Sequence, residues 1–144
     1  MKSVIVYWSR YGNGKKIVDY LSKKFNEKKV ETQIFKTDEI EPHELPFADF
    51  YIFSSPTEAF NVQKNMRKFI KNLNDMNEKK YCVINTHGMN KNWIYKFDKI
   101  LLKKNMKKIS GIDFRVGKDA NTGNGLMSGW ESKVDTFVDD LLLK

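Results

Sequence analysis

Two rhythms of apolar residues take turns along the chain. Val4, Ile5, Val6, Tyr7 and Trp8 form an unbroken apolar run that stops at a cluster of Ser and Gly. Such a run marks a strand buried on both faces, as in a parallel sheet. Ile17, Val18, Leu21 and Phe25 then recur at helical spacing with Lys and Asp between them, which predicts an amphipathic helix. Residues 30–36 alternate more and read as a strand nearer a sheet edge. Residues 37–49 contain Pro42 and Pro46, leaving room for a short helix or turns. Residues 50–56 predict a third strand, and Val62, Met66, Phe69, Ile70 and Leu73 a second helix stripe. Residues 81–88 give a fourth strand with a polar end; Trp93, Ile94, Phe97, Ile100 and Leu101 mark the next helix. Residues 109–117 predict a fifth strand, and residues 118–129 an open loop rich in Gly and Asn. Trp130, Val134, Phe137, Val138, Leu141 and Leu142 make the closing helix.

Strands and helices therefore alternate, which predicts an α/β protein: a three-layer, doubly wound, five-stranded parallel sheet in the order 2-1-3-4-5. The 144 residues fit one domain, 1–144, without repeats or an internal linker. Ligands of such sheets bind beyond the carboxyl ends of the strands, where the winding reverses. Here that point lies between the first and third strands.

Composition changes this picture little. Lys and Arg number 26 against 18 Asp and Glu, a net charge of +8. Most of the lysines fall on the polar faces of the predicted helices. With no zinc spacing, no RNA-binding signature and no aromatics regularly interleaved with Arg, nucleic acid is not expected as a partner. One cysteine excludes an intrachain disulfide and fits a reducing compartment. No apolar stretch approaches the ~20 residues of a membrane span. The first residues lack the long apolar core and small-residue cleavage site of a signal peptide. The expected address is the cytoplasm.

Three polar loops follow the central strands: Ser9-Arg10-Tyr11-Gly12-Asn13-Gly14-Lys15-Lys16, then Ser54-Ser55-Pro56-Thr57-Glu58-Ala59-Phe60-Asn61, then Asn85-Thr86-His87-Gly88-Met89-Asn90. The first opens a helix, where backbone N–H groups and the helix dipole favour an anion. Gly12 and Gly14 let the backbone approach a phosphate closely, and Ser9 and Asn13 add side-chain donors. The loop is neither a Walker A motif nor G-x-G-x-x-G. By itself it also matches a ligand-free turn that opens a helix.

Together the three loops resemble the flavodoxin family, over nearly the whole chain. Ser9, Gly12, Asn13 and Lys16 match the family's Ser/Thr-x-Thr-Gly-Asn-Thr and following Lys. Ser55-Pro56-Thr57 matches its Ser-Pro-Thr, Asp49 precedes the third strand as it commonly does there, and Thr86-His87-Gly88 stands where its third flavin loop begins. The fifth strand carries no long insertion, as in the short-chain members. The resemblance implies bound FMN. Its phosphate would lie on Ser9, Arg10, Tyr11, Gly12, Asn13 and Gly14, and its ring between the other two loops, near Ser55, Pro56, Thr57, Asn61, Thr86, His87, Gly88 and Met89. Phe60 and Trp93 are the aromatic candidates to flank the ring. For Trp93, a place in the helix core is an equal alternative.

Tyr11 and Gly14 replace two hydroxyl residues of the family pattern, with Arg10, Lys15 or Lys16 as compensating cations. Residues 57–61 lack the glycine whose peptide turns over towards the ring in flavodoxins, and Asn61 is the candidate substitute. Typical flavodoxins are acidic whereas this chain is basic, so redox partner proteins with acidic docking surfaces are expected. His87 reads as a loop histidine or as a residue that hydrogen-bonds the ring or tunes it electrostatically, His43 as a surface residue and Cys82 as a buried apolar one. An electron carrier is the first functional expectation. A small FMN-dependent oxidoreductase of quinone or porphyrinogen type is the alternative, with residues 118–129 shaping its substrate pocket. A flavodoxin-like module that has lost FMN is the third.

Overall fold

In the computed structural model, which describes residues 1–143, the central strand is β1 (Lys2–Tyr7). It is followed by α1 (Asn13–Glu27), β2 (Glu31–Lys36), β3 (Phe50–Glu58), β4 (Asn61–Val62) and α2 (Lys64–Lys71). The chain continues through β5 (Lys80–His87), α3 (Ile94–Leu102), β6 (Lys107–Arg115) and α4 (Trp130–Leu142). The five long strands run parallel in the order β2-β1-β3-β5-β6. That is the predicted doubly wound arrangement, with the two-residue β4 added antiparallel to the end of β3.

Successive side chains on a strand point to opposite faces, and the two cores divide accordingly. Val4, Val6, Tyr51, Phe53, Tyr81 and Val83 meet Met66, Phe69 and Ile70 of α2 and Phe97 and Leu101 of α3. Ile5, Tyr7, Phe50, Ile52, Cys82 and Ile84 meet Ile17, Val18, Leu21 and Phe25 of α1 and Val134, Phe137, Val138 and Leu141 of α4. The unbroken apolar runs of β1, β3 and β5 are thus strands covered on both sides. At the edge, β2 alternates between exposed and half-buried residues.

Four local expectations change. The third strand does not end at Pro56 but continues through Glu58 as one arm of a hairpin. Val62, expected in the second helix stripe, is fully buried in β4. The helix starts later because the Gln63 side chain caps it, accepting from Asn65 N at 2.7 Å and Met66 N at 3.2 Å. Trp93 precedes α3 as its N-cap residue instead of opening its apolar stripe. Residues 118–129 are not an open loop: they hold a short 3-10 turn (Ala120–Thr122), and a Val116–Leu126 bridge closes across them.

Candidate functional site

Three connections meet beyond the carboxyl ends of β1, β3 and β5. After β1, Gly12 takes φ +98° as the N-cap of α1, a left-handed conformation suited to glycine. The Ser9 hydroxyl oxygen accepts from Gly12 N at 3.1 Å and from Lys15 N at 3.3 Å. The first-turn N–H groups of Asn13 and Gly14 meet no partner among the described residues. A cradle of unbonded donors therefore sits at the positive end of a four-turn helix.

The cations of this connection are engaged elsewhere. The Arg10 fork grips Glu58 through Nε and Nη2, both at 2.7 Å, and lies 4.7 Å over the Trp8 ring. Lys15 pairs with Asp19 at 2.7 Å, and Lys16 donates to Asn124 Oδ1 at 3.0 Å. Asn13 too is committed within the protein. Its Nδ2 donates to Ala120 O at 2.7 Å, and its Oδ1 accepts from Gly125 N at 2.9 Å. This buried amide staples residues 116–129 onto the cradle. Two glycines allow the approach. A Cβ at Gly123 would stand 2.5 Å from Tyr11 O, and one at Gly125 2.6 Å from Ala120 Cα. Gly123 also takes φ +80°, whereas Gly125 is required only by the close approach of Ala120, and a Cβ at Gly14 would meet Ser9 and Ser54 at ordinary contact distances.

The β3–β4 hairpin turns through Ala59 (φ 52°) and Phe60 (φ 60°), both left-handed. This two-residue geometry matches hairpin twist, yet neither residue is the Gly, Asn or Asp that adopts it cheaply. The strained positions are these two, not Asn61, which lies in β4 and caps its neighbour Val62 N. Lys96 Nζ holds the turn through Phe60 O at 2.8 Å. Ser55 is buried beneath the hairpin and accepts from Gln63 N.

After β5, fully buried Asn85 accepts from Trp93 N at 2.9 Å and donates to Thr57 Oγ1 at 3.0 Å, tying the third connection to the second. His87 is not a solvent-facing loop histidine. It closes β5, buried, with Nδ1 2.7 Å from Met89 O and Nε2 2.6 Å from Asp113 Oδ2.

These connections enclose two adjoining cavities. One, of about 360 Å³, is bounded by Ser9, Arg10, Tyr11, Asn13 and Gly14, by Pro56 and Thr57, and by Thr86, His87 and Gly88. The other, of about 180 Å³, is bounded by Thr57, Phe60, His87, Gly88, Met89 and Trp93. They share Thr57, Ala59, His87 and Gly88. Gly12, Ser55 and Asn61, expected at the site, shape its backbone and line neither cavity. Glu58, Ala59, Val116 and Ala120 line the first without having been expected there. Phe60 is 62% exposed at the hairpin tip and meets the buried Trp93 edge-on at 6.0 Å.

Residues 4–118 match the family model described as flavodoxin domain. The chain belongs to the flavodoxin family. Solved flavodoxins share its fold. The flavodoxin of Streptococcus pneumonia TIGR4 superposes with a TM-score of 0.80 at 16% identity, covering 99% of both chains. The oxidised flavodoxin 2 of Bacillus cereus gives the same score, identity and coverage. A mutant flavo di-iron protein of Thermotoga maritima contains a similar unit, with a TM-score of 0.74 and 18% identity over 99% of this chain but 35% of that one. No curated protein sequence matches.

The site has the chemistry a flavodoxin needs for FMN. The unbonded N–H groups of Asn13 and Gly14 suit a phosphate. At the other end, Trp93 Nε1 is the one buried side-chain polar atom without a partner among the described residues, and Trp93 lines the second cavity.

Proposed function

We propose that this chain binds FMN and passes electrons between redox proteins. The observation that carries the proposal is the run of adjoining cavities from the unbonded N–H groups of Asn13 and Gly14 to the wall formed by Phe60 and Trp93. The phosphate lies in the cradle of residues 9–14, held by backbone donors and the Ser9 hydroxyl. Thr57, Thr86 and Gly88 border the middle of the site. Phe60 and Trp93, in edge-on contact with each other, would form one wall of the ring's place. When bound, FMN supplies the redox chemistry, and the chain orients it and sets its potential. No helix among the described residues is long and apolar enough to cross a membrane, and we infer a cytoplasmic protein from the single cysteine.

The helices support acidic partners. Lys64, Arg67, Lys68, Lys71, Lys96 and Lys99 on α2 and α3 face only one acid of those helices, Asp98. On α1 and α4, Lys15, Lys24 and Lys133 are matched by Asp19, Glu27, Asp135 and Asp113. Electron transfer to an acidic partner is expected to slow as salt rises from about 0.05 to 0.5 M, roughly a tenfold effect for steered association. A rate indifferent to salt excludes that steering.

The carrier reading is preferred to an oxidoreductase because residues 118–129 close on the cradle through Asn13 instead of building a wall around the ring. Purification tests the reading. A yellow protein that releases FMN and is reoxidised only by a second protein supports it. A colourless protein that takes up no FMN, or turnover of a quinone or porphyrinogen by the chain alone, contradicts it.

A further inference from the structure

The His87 side chain is only 4% exposed, on the wall common to both cavities. Its two ring nitrogens face the Met89 carbonyl oxygen at 2.7 Å and an Asp113 carboxylate oxygen at 2.6 Å. Both neighbours are acceptors. A neutral imidazole donates through one nitrogen and presents a lone pair at the other, so it would set that lone pair against one of these oxygens. We propose that His87 is held as an imidazolium by Asp113, and that this fixed cation beside the ring stabilises the reduced flavin. The proposal rests on the FMN reading above.

The surrounding charges support the sign. From β6, Asp113 faces His87, and Arg115 is its exposed register partner. From α4, Lys133 Nζ donates to Asp113 O and lies 3.9 Å from Oδ1. Across the first cavity, Glu58 and Arg10 neutralise each other. Of His87, Asp113, Lys133 and Arg115 only His87 lines the cavities; the other three stand outside their lining, and three cations against one carboxylate keep this side of the site net positive. Oxidised flavin is uncharged in its ring. After taking two electrons from a reductant and one proton from water, the ring bears one negative charge. A cation fixed beside it favours the reduced form, and no proton has to leave His87.

The test has three parts: nitrogen NMR of His87 in FMN-free protein, titration with oxidised FMN, and dithionite titration of the holoprotein. Both ring nitrogens should be protonated at neutral pH. His87→Gln, which keeps a donor for the Met89 carbonyl, should lower the ratio of reduced to oxidised FMN affinity about tenfold. Asp113→Asn, which removes the carboxylate that holds the second ring proton, should leave His87 with one protonated ring nitrogen; a His87 still protonated at both nitrogens in this variant counts against Asp113 as its holder. A neutral His87, or equal ratios of reduced to oxidised affinity in wild type and His87→Gln, overturns the proposal while FMN binding stands. Absence of any FMN binding overturns both.

Discussion

At the cradle end of the site, residues 9–16 are fastened to residues 116–129 by both polar atoms of Asn13, by Lys16 with Asn124, and by the close approach of Gly123 to Tyr11 O, where no side chain fits. At the ring end, Ala59 and Phe60 form a left-handed hairpin tip, Phe60 stands 62% exposed, and one lysine contact holds the turn. The first end is over-determined and the second stores strain. The difference matches what each end has to do. A phosphate would keep its charge through the redox cycle and gain from a rigid set of donors. A ring that changes charge during its cycle gains from a wall that adjusts.

The comparison breaks most easily at the cradle. Gly125→Ala puts a methyl 2.6 Å from Ala120 Cα and 2.8 Å from Ala120 N. It should cost about 1–3 kcal/mol in urea unfolding, as overpacking does. Gly123→Ala, at φ +80° and 2.5 Å from Tyr11 O, should cost about as much. Unchanged stability in Gly123→Ala would mean that residues 116–129 do not pack on the cradle, and in Gly125→Ala that the turn around Ala120 is not closely packed.

Asn13→Ala comes next. Removing two hydrogen bonds leaves Gly125 N and Ala120 O unmatched, for about 2 kcal/mol. Amide exchange should accelerate at Gly125 more than at Val62 in the hairpin. Equal protection of Gly125 in wild type and variant would remove the staple from the account.

At the ring end the sign reverses. Ala59→Gly should stabilise the protein by about 1 kcal/mol, the left-handed penalty exceeding the gain in unfolded-chain entropy. A loss of stability would show that the turn is unstrained. The smallest effect belongs to Gly14→Ser, for which the space exists beside Ser9. An added hydroxyl should tighten FMN binding about fivefold, one further hydrogen bond's worth. Weaker binding would show that the cradle has no room for it.

The strand order was legible because β1, β3 and β5 carry apolar runs that only two-sided burial explains, and the helix stripes have clean spacing. The three loops were legible because winding brings strand ends together. The hairpin was not: Glu58-Ala59-Phe60-Asn61 lacks the Gly or Asn pair that signals such a turn, and Val62 fits a helix stripe as well as β4. The His87–Asp113 pair was hidden by register. Asp113 is the partner of Asn85 across β5 and β6, and His87 lies two residues on, so the two side chains share one side of the sheet. The staple joins Asn13 to residues 107 and 112 positions away, a distance at which local pattern carries no signal. The cations expected to assist the phosphate were assigned by proximity in sequence, and each has a nearer acceptor: Glu58, Asp19 and Asn124.

The central claim is that the cradle receives the phosphate of FMN. Titrating FMN and riboflavin separately into flavin-free protein, with quenching of flavin fluorescence as the signal, isolates the phosphate's share. The account predicts one FMN bound per chain and riboflavin bound at least tenfold more weakly, about 1.4 kcal/mol. It also predicts that Asn13→Asp, which brings a carboxylate to the cradle, closes most of that gap. Equal affinity for the two flavins, or FMN binding untouched by Asn13→Asp, would contradict it.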